Sequence, residues 1–432
     1  MNSLRAVRAR AALFGLALTL GAAWTRRANA EVSLVKTDDL ELYTSGRVGG
    51  FFSLGFGDAL PVPLQPATET LRPGGGFDPG NDTIPKKGSN GMDDPTQQGT
   101  FRSMRVRSGF VPNVLGFGMR THLTPSTELT AYISIWTTIE AQGGRKTTPV
   151  VPDAREGYAK LQGPWGTFLA GRALDLFSRG ATENDFLYGH GYALGYPGNI
   201  DSSGPTAGLI GFGVLAAFFS PGIVYSTPTL GGLQLNVGVY DPVPAPGNYE
   251  ATRGARPETE LTYDLQTSSV KLHLFGNGAV QKLYHAAVTD GVTAYGVGYG
   301  GRVEAGPFHL GVAGHHGKGL GLSYALEASP TTFSQDNSLR TFDGYSAFAQ
   351  YATGTFDFNL GAGVSRVFLL ESDKLATNSS LIKSQVGMSA VVVYHASKHV
   401  HFSLDYFRGQ FKWYLGEKQN VNFISSGMTV TW

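Results

Sequence analysis

The chain ends in the stretch Val421-Asn422-Phe423-Ile424-Ser425-Ser426-Gly427-Met428-Thr429-Val430-Thr431-Trp432. Counting back from Trp432 in steps of two places Val430, Met428, Ser426 and Ile424 on one face, with small or polar residues on the other. This period of two indicates a β-strand with one apolar and one polar face. Aromatic rings collect at the membrane–water boundary of lipid-embedded barrels. A terminal strand that ends in tryptophan therefore predicts a closed barrel in an outer membrane.

The first thirty residues have the pattern of a secretory signal peptide. Three arginines precede a 13-residue apolar run at 11–23, which is too short to cross a bilayer as a helix. Ala28-Asn29-Ala30 then supplies a small-x-small cleavage pattern. We expect a cleaved signal peptide at 1–30 and an exported barrel domain at 31–432. A short, uncleaved membrane anchor is the alternative.

Composition narrows the class of protein. Removing 1–30 takes away five arginines and no acid, so the net charge falls from +1 to about −4, and neither value suggests nucleic acid binding. No cysteine is present, which excludes disulfides and thiol chemistry. Glycine accounts for 59 of 432 residues, well above its usual share of about 7%. After the signal, no apolar run of about 18 residues occurs, so helical membrane spans are excluded.

Apolar and polar residues alternate through most of the mature chain. Residues 233–239 place Leu and Val on one face and Gln, Asn and Gly on the other, and 115–122 and 356–365 repeat the pattern. A soluble sandwich would show the same alternation. The polar faces here carry Asp, Asn, Gln, Arg and His, which suit a water-filled lumen.

Short and long connections alternate along the chain. Seven short turns are predicted, at 124–127, 163–166, 227–232, 265–267, 305–307, 352–355 and 395–398. Eight long polar segments are predicted, at 57–99, 141–155, 173–220, 241–258, 277–290, 317–343, 370–383 and 411–419. Such connections join sixteen strands, with the short turns on the periplasmic side. The predicted fold class is all-β, a transmembrane antiparallel up-and-down β-barrel of about sixteen strands.

Several short motifs occur in the order found in the general diffusion porins of Gram-negative bacteria. Glu41-Leu42-Tyr43 resembles the first strand of that family, 157–163 resembles the hairpin before the third loop, and 224–228 resembles the strand after it. Each motif is short, so the order carries the resemblance, which covers nearly the whole mature chain. It implies a sixteen-stranded, usually trimeric channel that passes small hydrophilic solutes.

The resemblance also implies a third loop, at 173–220, folded into the lumen to form a constriction. Its predicted acidic residues are Asp175, Glu183, Asp185 and Asp201. The predicted bases of the facing wall are Arg47 and Arg172 by family position, and Arg105, Arg107, Arg120 and Lys160 by alternation. Arg172 has the parity of Phe168, so its lumen assignment depends on the resemblance alone. Acids facing bases would create a transverse field, although each charge could instead be an ordinary residue of a wet face.

The apolar stretch 209–219 departs from the family pattern. It could pack the loop against the wall, face lipid, form a short helix, or add a strand. Small lumen residues at Gly238, Gly361 and Gly363 argue against an interior filled by side chains.

Other sites are predicted weakly or not at all. Asp78, Asp82, Asp93 and Asp94 could bind Ca²⁺ through oxygen ligands, or belong to a solvated Gly/Pro-rich loop. No other metal or cofactor site is predicted. No G-x-S-x-G sequence occurs, and we expect no catalytic residues.

The sequence thus predicts an outer-membrane porin and not an enzyme. It would form a water-filled channel for passive diffusion of small hydrophilic solutes and ions, set in outer-membrane lipid as a homotrimer. The alternatives are a substrate-specific channel for sugars or carboxylates, an outer-membrane barrel enzyme and a closed structural barrel. Trp432 is predicted to act as a membrane-assembly signal and to pair with the first strand near Leu42.

Overall fold

The computed structural model describes residues 31–64, 75–139, 152–193, 204–243, 249–250, 254–285, 288–326, 338–375 and 381–432. Its strands are β1 (Val32–Lys36), β2 (Leu40–Asp58), β3 (Thr83–Ile84), β4 (Thr100–Arg107), β5 (Asn113–Thr124), β6 (Thr127–Thr137), β7 (Asp153–Gly163), β8 (Gly166–Leu174), β9 (Phe219–Ser226), β10 (Leu233–Tyr240), β11 (Tyr249–Glu250), β12 (Arg256–Gln266), β13 (Val270–His285), β14 (Val288–Ala305), β15 (Phe308–Lys318), β16 (Thr341–Ala352), β17 (Phe356–Phe368), β18 (Ile382–His395), β19 (Val400–Trp413) and β20 (Lys418–Thr431). Two short helices, α1 (Arg179–Asn184) and α2 (Glu371–Leu375), lie in the connections. No helix in these ranges is long and apolar enough to cross a membrane.

The strands close into one antiparallel barrel of sixteen strands, as predicted. Closure occurs where β2 pairs with β20, from Arg47 opposite Thr431 to Gly57 opposite Val421. β4 and β5 together form one interrupted barrel strand, because both pair with β2. The short strands β1, β3 and β11 pair onto barrel strands and are not counted among the sixteen. A closed barrel satisfies every backbone group without a free edge, which lipid requires.

Residue parity separates a lipid face from a lumen face. On β10, Leu233 and Val237 are each 47% exposed on the outside, whereas Asn236 is 3% exposed on the inside. The other barrel strands alternate in the same way, with apolar side chains outside. The alternation seen in the sequence is therefore that of a barrel wall.

All seven predicted turns are confirmed, since each joins two consecutive strands. The predicted loop at 277–290 is wrong: β13 continues to His285 and β14 begins at Val288, with Leu283 opposite Val292. Both strands are longer than the roughly 9–11 residues that cross a bilayer, so polar residues on either face do not end them.

Trp432 extends the ladder between β20 and β2 by one residue. Its backbone N–H donates to the Gly46 carbonyl at 3.0 Å, and Gly46 donates in return at 2.7 Å. The indole ring covers Gly46, where a Cβ would lie 2.3 Å from the ring. The pairing is at Gly46 and not near Leu42, because β1 pairs there, with Val35 opposite Leu42.

Candidate functional site: the inner loop and the lumen wall

The segment between β8 and β9, which we call the inner loop, folds into the barrel. It comprises residues 175–218 and is described for 175–193 and 204–218. Leu209, Phe212 and Val214 are each 0% exposed, although they lie in a connection. The apolar stretch at 209–219 therefore packs inside the lumen, which is the first of the four options left open by the sequence.

Glycines of the barrel wall make room for the inner loop. A Cβ on Gly363 of β17 would lie 2.0 Å from the Phe212 carbonyl oxygen, and one on Gly387 of β18 would lie 2.7 Å from the Phe212 ring. That ring packs on Phe407 with centroids 5.1 Å apart. Ser365 accepts a hydrogen bond from the Gly213 N–H at 2.8 Å. We call this contact area the loop seat.

The lumen glycines do not indicate the unfilled interior that the sequence predicts. A Cβ on Gly361 would lie 2.6 Å from Leu187 of the inner loop, and Gly363 faces Phe212. Their small size accommodates the loop, so part of the interior is filled. Gly238 instead lies against the ring of Tyr240 on its own strand.

A buried ionic cluster fixes the start of the inner loop. The carboxylate of Asp175 accepts hydrogen bonds from the Arg256 guanidinium and from the N–H and hydroxyl of Ser220, the latter two at 2.9 and 2.8 Å. Arg256 also pairs with Glu258 at 2.9 Å, and Glu258 accepts the Phe177 N–H at 2.8 Å. A carboxylate held this way is satisfied inside protein and does not line the passage.

Asp185 joins the two limbs of the inner loop. Its carboxylate accepts the backbone N–H of Leu187 at 2.8 Å and that of Leu209 at 2.6 Å. Burial raises the pKa of Asp185 to about 7, against the opposing effect of backbone N–H donors at Leu209, Leu187 and Tyr188. The role of Asp185 in the structure is thus internal to the loop.

Glu183, at the end of α1, is the exposed acid of the three predicted loop acids that the structure describes. Its backbone carbonyl accepts a hydrogen bond from Arg302 at 3.3 Å. The fourth predicted acid, Asp201, lies outside the described residues.

Two other connections, one between β4 and β5 and one after β15, also contact the inner loop. The residues between β4 and β5 break the strand and reach inward, so that the Phe110 N–H donates to the Pro205 carbonyl at 2.8 Å. The connection after β15 also turns inward. Ala216 donates to the Ser323 carbonyl at 2.7 Å and accepts from the Ala325 N–H at 3.0 Å. The inner loop is therefore held on several sides.

Arg47 and Arg107, two of the predicted wall bases, meet the inner loop directly. Arg47 donates from Nη2 to the Gly189 carbonyl at 2.9 Å. Arg107 is 6% exposed, and its side chain lies 3.4 Å from where a Cβ on Gly204 would stand.

Arg105 and Arg120 also face inward, but each is bound to a carboxylate outside the inner loop. Arg105 pairs with Asp82 at 2.5 Å, and Arg120 pairs with Glu31 at 2.6 Å. Lys160 lies on the same face of the wall, opposite Thr130 on β6.

Arg172 stands apart from these bases. It is exposed, keeps the outward parity of Phe168, and donates from Nε to the Phe219 carbonyl at 3.0 Å. Its neighbours across the ladder are Gly157 and Pro221, so no carboxylate faces it there.

Among the described residues, the predicted loop acids do not pair with the predicted wall bases. Asp175 binds Arg256 of β12, Asp185 binds loop backbone, and Arg47 binds a loop carbonyl. The reason is packing: a loop seated in a barrel needs its own buried polar groups paired, and its acids are used for that.

A row of three tyrosines crosses the wall of β2, β6 and β7. The ring centroids of Tyr43 and Tyr132 lie 6.5 Å apart, and those of Tyr132 and Tyr158 lie 5.5 Å apart. Glycines of the intervening strand β5 make room for the rings, since a Cβ on Gly118 would lie 2.0 Å from Tyr43 and one on Gly116 would lie 2.1 Å from Tyr132. We call these three residues the tyrosine row.

Charged residues flank the tyrosine row on both sides. Towards the turns, the guanidinium of Arg120 lies 4.0 Å from the centre of the Tyr43 ring. Towards the inner loop, the guanidinium of Arg155 lies 4.4 Å from the centre of the Trp136 ring and pairs with Asp153 at 2.7 Å. The aromatic surface is thus bordered by guanidinium groups at each end.

Arg155 and Trp136 were not predicted as site residues. Arg155 lies within the long segment predicted at 141–155, whereas in the structure β7 already begins at Asp153. The register between β6 and β7 also shifts between Ser134 and Trp136, which breaks the parity that alternation relies on. Only the polar-aromatic composition of 153–158 hinted at a wall strand.

The four aspartates of the predicted Ca²⁺ loop have separate partners. Asp78 accepts the Gly80 N–H at 2.9 Å, Asp82 binds Arg105, Asp93 binds Lys87, and Asp94 accepts hydrogen bonds from Thr96 and Gln97. Across the described ranges, no group of three or more His, Asp or Glu side chains is arranged to hold a metal ion.

Solved structures of outer-membrane channels share this fold. The outer membrane channel DcaP of Acinetobacter baumannii aligns with a TM-score of 0.65 at 13% identity, covering 93% of this chain and all of the other. The anion-selective porin from Comamonas acidovorans gives 0.55 at 12% identity over 91% of this chain and all of its own. OmpF of Salmonella typhi, in complex with daunomycin, gives 0.51 at 11% identity over 92% of this chain and 99% of its own.

Sequence comparison supplies the family. Among curated proteins, none matches this chain. The family model described as Gram-negative porin matches residues 17–366, which is most of the sequence. Together with the closed sixteen-stranded barrel, this match shows that the chain belongs to the Gram-negative porins and forms a passive diffusion channel of the outer membrane.

Proposed function

We propose that small hydrophilic solutes cross this channel along the wall formed by β2 and β5–β7, between that wall and the inner loop. The supporting observation is that the inner loop packs against the opposite wall, with Phe212 in the loop seat. The side chains of Arg120 and Arg155, on the wall left to the passage, are 30% and 31% exposed. We assign the protein transport and no catalytic reaction.

We propose that the constriction prefers anions. Where the inner loop meets this wall, Arg47 and Arg155 lie near Tyr188, and Arg107 lies beside Gly204. The acids near these bases are Asp153, which pairs with Arg155, and Asp185 and Glu156, which also act on Tyr188. Among the described residues, Arg47 has no carboxylate within salt-bridge distance. Local charge dominates ion preference because screening confines distant charges to about 8–10 Å.

Planar bilayer recordings test both proposals. Purified, folded protein should open an ohmic channel, and the reversal potential in a KCl gradient should have the sign of chloride preference. A protein that never opens an ohmic pore would overturn the passage, whereas a cation-preferring pore would overturn only the charge assignment.

A second candidate is a substrate-specific channel for carboxylates. The tyrosine row offers ring faces, and Arg120 and Arg155 border it with guanidinium groups that bind carboxylates in a forked geometry. The track would lie on the wall and not on the inner-loop tyrosines Tyr188 and Tyr192. Saturable block of the chloride current by an aromatic carboxylate, weakened in Tyr158→Ala, favours this candidate. Block that rises linearly favours general diffusion.

We propose a homotrimer in which the outer face of β2 and β5–β7 contacts neighbouring copies. At the turn end of β15–β19, lipid-facing rings form a belt, with Phe308 and Tyr351 at 5.0 Å and Phe356 and Tyr394 at 5.0 Å. The equivalent lipid-facing positions of β2 and β5–β7 carry leucines: Leu42, Leu123, Leu129 and Leu161. An aromatic belt suits a lipid boundary, and its absence suits a protein contact.

The trimer is tested by the mass of the detergent-solubilised protein. The wild type should be trimeric, and Leu123→Glu should lower the trimer fraction more than Leu310→Glu, which changes an exposed leucine beside the belt. Equal effects would place the contact elsewhere.

We also propose that residues 1–30 are removed on export and that Trp432 acts in membrane assembly. The mass of the purified protein should correspond to a chain starting at Glu31. Deleting Trp432 should lower the yield of folded protein in the membrane and leave the conductance of surviving pores unchanged. Altered conductance would indicate that the terminal ring also shapes the pore.

A further inference from the structure

Two histidines face each other across neighbouring strands at the turn end of the lumen. His395 of β18 is the ladder partner of His401 of β19. Their Nδ1 atoms lie 2.8 Å apart. Both residues have the parity of the lumen-facing Asp405, and 26% of the His395 side chain is exposed. The pair is therefore accessible to ions in the channel.

A carboxylate orients this pair from behind. Asp357 of β17 lies 2.9 Å from Nε2 of His395. The Asp357 carboxylate accepts a hydrogen bond there and so keeps a proton on Nε2 of His395, which leaves a lone pair on its Nδ1. The proton between the two rings then belongs to Nδ1 of His401. A carboxylate behind a histidine ring is the usual support of a metal-ligating imidazole.

We propose that His395 and His401 bind a divalent transition metal ion such as Zn²⁺, Ni²⁺ or Cu²⁺ through their Nδ1 atoms. Two nitrogens bound to one tetrahedral Zn²⁺ lie about 3.3 Å apart, given Zn–N distances of roughly 2.0–2.1 Å. The rings therefore need to separate slightly and to turn so that both Nδ1 lone pairs point at the ion. The Nδ1 proton of His401 moves to its own Nε2, which leaves both ligands neutral. Lumen water completes the coordination.

The two-histidine site should bind its metal ion weakly and exchange it readily, because it has few protein ligands and a positive charge nearby. Two protein ligands fall short of the three or more that closed sites use. Arg47 and His399 lie close enough to influence the charge of His401, and Arg47 opposes a bound cation. His399 is not a ligand, because its Nδ1 bonds the Thr431 carbonyl at 2.8 Å. Imidazole ligands select Zn²⁺, Ni²⁺ or Cu²⁺ over Ca²⁺ or Mg²⁺.

Metal titration of the folded protein in detergent, prepared without a histidine tag, tests the site. Calorimetry with Zn²⁺ should show one ion per chain, and bound Cu²⁺ should show nitrogen hyperfine splitting in its electron paramagnetic resonance spectrum. His401→Ala should abolish that ion, and Asp357→Asn should weaken it by about 10–100-fold. Circular dichroism and heat-modified gel mobility check that each variant is folded.

His309→Ala is the matched control. His309 also faces the lumen, but its Nδ1 bonds Gln350 at 2.6 Å, so its removal should leave Zn²⁺ binding unchanged. No Zn²⁺ binding by the wild type at millimolar concentration would overturn the proposal, as would equal binding by His401→Ala. These readouts do not depend on the proposed passage, so a failed conductance experiment would leave the site standing.

Discussion

Two inner walls of the barrel use glycine in opposite ways. On β17 and β18, Gly363 and Gly387 leave the space that Phe212 of the inner loop occupies. On β5, Gly118 leaves space for the ring of Tyr43, which belongs to the same wall. The inner loop covers the first wall, whereas the proposed passage runs along the second. What lies opposite a glycine therefore decides whether it closes the lumen or lines it.

Filling the loop seat should have the largest effect on conductance. Gly363→Leu places a side chain where the Phe212 carbonyl lies, and overpacking of this kind costs about 1–3 kcal/mol. The loop should detach in part, so we expect single-channel conductance to rise, with more current noise. Gly276→Leu is the control, because nothing lies within 4 Å of a Cβ there. Unchanged conductance in Gly363→Leu would contradict the loop seat.

Removing the base of the buried ionic cluster should destabilise the start of the inner loop. Arg256→Met leaves Asp175 and Glu258 buried without their cation, which costs about 3–5 kcal/mol. Thermal unfolding and protease sensitivity of the loop measure this. The triple variant Asp175→Asn, Arg256→Met, Glu258→Gln should recover most of the loss. If Arg256→Met is as stable as the wild type, the seat alone holds the loop.

Removing bases from the open wall should change ion preference while Phe212 stays in the loop seat. Arg47→Ser combined with Arg155→Ser should shift the reversal potential towards cations. Arg172→Ser is the control, since Arg172 keeps outward parity. A shift of equal size in the control would indicate that Arg172 faces the lumen, as the family resemblance implies.

The smallest expected effect concerns pH. The pKa of Asp185 is raised to about 7 in the folded loop from an ordinary value of about 3.9. The proton therefore stabilises the packed loop fully below about pH 4, and this stabilisation is lost as pH rises through about 7. Current noise should grow between pH 5 and 8, and Asp185→Asn should flatten this slope. A wild-type channel with no such slope argues that the backbone donors keep the carboxylate ionised.

The wall strands and turns could be predicted because each depends on a local pattern. Alternation identified β10 and β17, and short Gly/Pro or Thr-rich segments identified the turns. The extension of β13 to His285 could not be predicted, because its inner face carries both Gln281 and Leu283, each 1% exposed, so the apolar–polar alternation of the wall is lost there.

The site was harder to predict because it depends on contacts distant in sequence. Asp175 and Arg256 are 81 residues apart, and nothing local shows that they pair. The alternation of β5 correctly predicted that Arg120 faces inward, but not that Glu31 would bind it. Arg155 was missed because the register shift at β6 and β7 conceals its parity.

Thiol accessibility tests most directly that the inner loop covers one wall and leaves the other open. The chain has no cysteine, so Lys160→Cys on the open wall and Ser365→Cys in the loop seat can each be labelled alone. A charged, membrane-impermeant thiol reagent should react with Lys160→Cys and reduce the single-channel current. Ser365 is 1% exposed in the native protein, so the reagent should leave Ser365→Cys unmodified. Equal reaction rates at the two positions would contradict the account.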